Sequence, residues 1–103
     1  MNRIEKILAM LAEDPLDNFL RHALALEYIK VGEDEKARAL FEEILTGDPA
    51  YIGSYYHLAK LLERNERIAE AIRWYEKGME EAKKAGDAHA LGELRGAYEE
   101  LIF

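Results

Sequence analysis

Residues 14–49 read DPLDNFLRHALALEYIKVGEDEKARALFEEILTGDP. The stretch opens and closes on Asp-Pro, and Pro15 and Pro49 are the only two prolines in the chain, 34 residues apart. Between them, apolar residues recur three and four positions apart: Phe19, Leu20, Ala23, Leu24 and Tyr28, then Ala37, Leu40, Phe41, Ile44 and Leu45. That spacing lays an apolar stripe along each of two helices. Gly32 falls between the stripes, where a left-handed residue ends a helix at no steric cost. The stretch therefore predicts a helical hairpin with proline at either boundary.

Displacing the chain by the same 34 residues extends the reading outward, and such a period identifies a repeat array. Leu24 falls on Leu58, Ala25 on Ala59, Tyr28 on Leu62, Ala37 on Ala71 and Phe41 on Tyr75. In the other direction Phe41 falls on Ile7 and Ile44 on Met10; Arg21 on Tyr55 is the mismatch. Small residues return to small and large apolar residues to large. Strand-like alternation is absent, and β-branched residues are few, with one Val, one Thr and eight Ile. Six helices are predicted, over residues 2–12, 17–31, 34–46, 51–64, 67–84 and 87–102. Asp87, after Gly86, is placed to cap the last of them.

These residues resemble the tetratricopeptide repeat, whose pattern runs W-x2-L-G-x2-Y, then A-x3-F, then P, over about 34 positions. Leu24-Ala25-x2-Tyr28 corresponds to L-G-x2-Y with Ala for Gly, Ala37-x3-Phe41 to A-x3-F, and Pro49 closes the unit. Arg21 stands where the pattern has Trp. In the next unit Tyr55 takes that place, followed by Leu58-Ala59, Leu62 and Ala71-x3-Tyr75 within AIRWYEKGMEEA. Glu66 sits where glycine is usual, so Asn65 is expected to take the left-handed turn instead, and Lys83 replaces the closing proline. Residues 87–102 fit as a first helix if two residues are inserted, giving Leu91-x2-Leu94 and Tyr98.

The resemblance implies an all-α fold, a right-handed α-solenoid of antiparallel helix pairs in one domain over residues 1–103. An N-terminal capping helix (1–15) precedes one repeat over 18–51 and a second over 52–85, and a C-terminal capping helix covers 87–102. Each pair buries only part of its apolar surface until the next pair stacks on it. Ala25, Ala37, Ala59 and Ala71 are small so that helices can approach closely. Trp74 is expected to pack between repeats.

Composition limits the functional classes. A chain of 103 residues has room for a single core. With no cysteine there is neither a disulfide framework nor a thiolate metal site. The start, MNRIEKILAMLAEDP, mixes charge with apolar residues, unlike a secretory leader, and no apolar run reaches the ~18 residues of a membrane span. A cytoplasmic address and no membrane partner are expected. The net charge of −7 argues against a nucleic-acid partner, which requires a basic face. Small stand-alone proteins resembling this one are typical of bacteria, so a bacterial source is expected.

Catalytic and metal chemistry find little purchase. His22, His57 and His89 fall one on each first helix, with no H-x3-H pair. Equivalent residues of neighbouring repeats are expected ~10 Å apart, one helix-packing distance, too far to share a metal. Ser54 and Thr46, the only hydroxyls of their kinds, lie outside any G-x-S-x-G elbow, and Ser54 reads as a helix-end hydrogen bonder. Glu42, Glu43, Glu76, Glu80 and Glu81 read as solvated charge on second helices. The glycines are isolated, so no phosphate loop is present. No metal, no cofactor and no enzymatic activity are expected.

The resemblance implies a protein–protein interaction module that takes a peptide or helix in a groove lined by first helices. The corresponding residues are Phe19, His22, Leu26, Ile29, Lys30, Tyr56, His57, Lys60, Glu63 and Arg64. The set is more aromatic and basic than the whole chain, and suits a peptide with an aromatic or aliphatic anchor and acidic groups. Lys60 and Arg64 lie one turn apart and are expected to grip a carboxylate together. The carboxylate clamp by which some members hold chaperone tails is absent, because His22, Leu26, His57, His89 and Glu93 stand at its places. The alternative is self-association as a homodimer through the terminal helices, where Leu101-Ile102-Phe103 is apolar.

Overall fold

Asn2 opens the first helix with a capping box: its side chain accepts from the Glu5 amide at 2.8 Å, and Glu5 accepts from the Asn2 amide at 3.4 Å. The computed structural model describes all 103 residues. It contains α1 (Arg3–Glu13), α2 (Asn18–Lys30), α3 (Asp34–Gly47), α4 (Gly53–Arg64), α5 (Ile68–Ala85) and α6 (Ala88–Ile102), with no strand. Each boundary lies within two residues of its predicted place. Asp17 and Asp87 cap α2 and α6 by accepting from the amides of Leu20 and Ala90 at 2.9 and 3.0 Å. No helix is long and apolar enough to cross a membrane.

The two Asp-Pro pairs end α1 and α3 in the same way. Asp14 has φ −142° and ψ 78°, and Asp48 has φ −143° and ψ 82°. A following proline excludes the helical region for the residue before it, so both chains leave the helix there. The Asp14 and Asp48 amides still close the last turn onto Met10 and Ile44.

The inter-helix turns also repeat. After α2, Gly32 (φ 81°) is left-handed, and the Glu33 amide donates to the Tyr28 carbonyl at 2.8 Å. After α5, Gly86 (φ 69°) does the same, with Asp87 donating to Ala82 at 2.9 Å. These are Schellman caps. After α4 the left-handed residue is Glu66 itself (φ 62°), with Arg67 donating to Leu62 at 2.8 Å. The expectation that Asn65 would take this role is wrong: Asn65 has φ −93°. Register explains the outcome, since the Arg67–Leu62 bond requires the residue just before Arg67 to turn. The Asn65 side chain instead donates to the Leu61 carbonyl at 2.9 Å and to Asp34 at 3.0 Å.

The core runs along the array. Ala25, Ala37, Ala59 and Ala71 are fully buried, as are Phe41, Tyr55, Leu58 and Tyr75. Gly78 shows how close α4 and α5 come: a Cβ there would lie 2.7 Å from the Tyr55 Cβ. Trp74 is half-buried against Tyr55, ring centroids 6.0 Å apart. Ion pairs join the units, with Arg64 bound to Asp34 at 2.5 Å and Arg67 to Glu35 at 3.4 Å. The carboxylates of the second helices are less uniformly solvated than the sequence suggests. Glu81 is only 8% exposed, between Lys77 at 3.5 Å and Lys84 at 3.3 Å. Leu101 packs on the core, whereas Phe103 is 95% exposed.

Candidate functional site

His22 on α2 and His57 on α4 form the centre of the first-helix face. Their ring centroids lie 5.3 Å apart in an edge-to-face arrangement, and Phe41 lies against both. The ~10 Å expectation is thus overturned: it counted from helix axis to helix axis, and both rings bridge the gap. His22 Nδ1 shares a 2.8 Å hydrogen bond with the hydroxyl of Ser54. Ser54 is fully buried, so it does not serve as an exposed helix-end group; its hydroxyl ties α4 to α2. The remaining histidine, His89, stays in solvent and meets Glu93 at 3.1 Å. No three His, Asp or Glu side chains are grouped closely enough to hold a metal ion.

Burial sets the titration of this centre. The His22 pKa is lowered to about 4, first by loss of solvent and then by the neighbouring His57. His57 is also lowered by burial, against the opposing charge of Glu93. Both rings are therefore neutral near pH 7. The Tyr75 hydroxyl donates to Glu63 and is held well above the usual phenol range, by burial first and by that carboxylate second.

Two hollows flank His57. One is lined by Ile29, His57, Lys60, Leu61, Glu63 and Arg64, and the other by Ile52, Gly53, Tyr56, His57, Ala90, Glu93 and Leu94. Of the sequence-predicted groove residues, Ile29, His57, Lys60, Glu63 and Arg64 gather in the first and Tyr56 and His57 in the second. Phe19, His22, Leu26 and Lys30 line neither. Phe19 is 72% exposed towards the beginning of α2. His22 and Leu26 pack on the core side, and Lys30 is occupied with Glu27 at 3.0 Å. Ile52, Gly53, Leu61, Ala90, Glu93 and Leu94 lie outside the predicted set. Those on α6 become visible once the two-residue insertion sets Leu94 in register with Leu58.

The cations of the first hollow are not free. Arg64 is bound to Asp34 at 2.5 Å, and Lys60 is 3.7 Å from Glu63 and 5.9 Å from the centre of the Tyr56 ring. The Arg64 guanidinium, donating to Asp34, holds that carboxyl below its usual range. Each has a carboxylate of its own chain within reach, so a joint grip of Lys60 and Arg64 on a ligand carboxylate requires both to exchange partners.

Antiparallel helix pairs with one cap geometry recurring at a fixed offset define a helical-repeat solenoid. Residues 28–94 match the sequence profile of the tetratricopeptide repeat, and the chain belongs to that family. A tetratricopeptide repeat domain protein from Salinibacter ruber is 45% identical, with 82% of this chain and 94% of that one covered and a TM-score of 0.78. A Bordetella parapertussis protein is 27% identical over 98% of this chain and 88% of its own, with a TM-score of 0.84. Human aspartyl/asparaginyl β-hydroxylase is 27% identical over 73 residues. The match covers 71% of this chain but 10% of that protein, so the chain spans about a tenth of its length.

Proposed function

We propose that the chain holds a peptide or helix of a partner protein across its first-helix face, in the two hollows that flank His57. The tetratricopeptide repeat is in general a protein–protein interaction scaffold. The observation that carries the reading is the shared wall: His57 lines both hollows, so one extended segment can occupy both. An aliphatic or aromatic side chain suits the hollow of Tyr56, Ala90 and Leu94, and an acidic group suits the rim of Lys60 and Arg64. The ligand must draw Arg64 away from Asp34, and one carboxylate exchanged for another makes that cheap at an exposed pair.

The test is capture from an extract of the source organism by the immobilised chain, compared with the Lys60→Glu, Arg64→Glu double variant. Loss of captured protein with helix content unchanged by circular dichroism is expected; unchanged capture removes this face as the site. A non-enzymatic role belongs to the same reading. A bacterial setting is supported by the Salinibacter and Bordetella relatives. Self-association is the second reading, favoured by the exposure of Phe103. Light scattering at high protein concentration decides it, with a strict monomer counting against it.

A further inference from the structure

A separate hollow lies where α3, α4 and α5 meet, lined by Leu45, Tyr55, Arg73, Trp74 and Lys77. It shares no residue with the two hollows beside His57. Its floor is aromatic and aliphatic: Trp74 is half-buried and its ring is tilted 42° from that of Tyr55. Its rim is cationic. Arg73 is exposed and has no acidic partner within ion-pair distance; Lys77, one turn on, is paired with Glu81 at 3.5 Å.

The charge of this hollow sets it apart. The chain carries 21 acidic against 14 basic residues. Four other hollows on the surface each have at least one carboxylate in their lining, among them Asp48, Glu63, Glu80 and Glu93. This one has none, and it is also where the only tryptophan meets solvent. Trp beside Arg, with an apolar floor, is the combination that dominates binding energy at protein interfaces. An unpaired guanidinium offers a carboxylate two parallel hydrogen bonds. At physiological salt, charges further off than ~8 Å are largely screened, so a local cationic rim outweighs the overall negative charge.

We propose that this hollow is a second docking site, for an acidic segment of another protein that carries an aromatic or aliphatic side chain. The apolar side chain lies against Trp74 and Leu45, and flanking carboxylates meet Arg73 and Lys77. Together with the first-helix face it makes the chain an adaptor between two proteins.

Trp74, being the only tryptophan, reports occupancy by its own fluorescence. The whole chain is titrated at 0.15 M salt with acetyl-Glu-Glu-Phe-Glu-Glu-amide and with the matching lysine peptide. A saturable change with the acidic peptide alone is expected. The affinity read from Trp74 emission should weaken about ten-fold or more in Arg73→Glu, Lys77→Glu and to a smaller degree in Arg73→Gln. Both altered side chains are exposed, so helix content should be preserved. No saturable change, an equal response to the lysine peptide, or full affinity in both Arg73 variants overturns the proposal. So does emission that shifts with protein concentration alone as a dimer forms, because the occupant would then be a second copy.

Discussion

The imidazole of His22 and the hydroxyl of Ser54, 32 residues apart, are joined by a 2.8 Å hydrogen bond that links α2 to α4. The bond lies in a place where a charged imidazole is disfavoured. His22 keeps a folded-state pKa of about 4 against 6.5 in the unfolded chain. The unfolded state therefore binds the proton first. Stability is fully present above pH 6.5 and is lost as pH falls towards 4. With the solvent-facing edge of the ring allowed for, the loss is about 1–2 kcal/mol. His22→Gln cannot titrate but can still bond Ser54. Thermal melts at pH 7 and pH 5 should show a smaller drop in Tm for this variant than for the parent chain, and equal drops would remove His22 as the origin.

Glu66 occupies the left-handed position that Gly32 and Gly86 fill at the equivalent caps. A residue with a Cβ costs roughly 1 kcal/mol there, and glycine none. Its carboxylate has no hydrogen bond or ion pair to lose. Glu66→Gly should stabilise the chain by about 1 kcal/mol, raising the melting temperature by roughly 4–8 °C for a domain of this size. Unchanged denaturant midpoints would show that the turn holds Glu66 without strain.

These two cases mark how far the sequence can be read. The 34-residue offset of two Asp-Pro pairs places the first five helices, and the sixth once two residues are inserted, because helix length, stop and apolar stripe are local properties of residues such as Asp48, Pro49 and Phe41. Glu66 was misread because a cap is fixed by its hydrogen-bond register, Arg67 onto Leu62, and the side-chain preference of Asn65 is the weaker force. Of the residues that line the first hollow, the sequence groups Ile29, His57, Lys60, Glu63 and Arg64, which share one face of neighbouring helices. It does not reveal that Arg64 is taken by Asp34, or that the two histidine rings touch. Both depend on side chains reaching across between elements.

Two glycines within helices should respond in opposite ways to alanine. Gly92 in α6 has open space around a new Cβ, so Gly92→Ala should stabilise by about 0.5–1 kcal/mol through lost backbone freedom in the unfolded chain. Gly78 in α5 offers the same backbone gain, yet its new Cβ would stand 2.7 Å from the Tyr55 Cβ and 2.9 Å from the Tyr55 Cγ. Neither atom can swing away, being close to the α4 backbone. Overpacking costs about 1–3 kcal/mol and exceeds the gain. Urea midpoints should move up for the first variant and down for the second. A rise for both would mean α4 and α5 separate easily.

Asp34 pairs with Arg64 at the rim of the first hollow, and removing that carboxylate should separate the structural role of the pair from its effect on binding. Asp34 begins α3, so Asp34→Asn forfeits a favourable contact with the helix N-terminus as well as the exposed ion pair, together below about 1 kcal/mol. Asn65, which also donates to Asp34, keeps its bond to the Leu61 carbonyl. The cap after α4 should therefore survive. Arg64, one turn beyond Lys60, is then free to meet an incoming carboxylate. An acidic partner captured through this face should bind Asp34→Asn more tightly than the parent chain, with little change in the thermal midpoint. Weaker capture by a variant that melts normally would show that Arg64 serves the groove through its bond to Asp34, as part of a fixed wall.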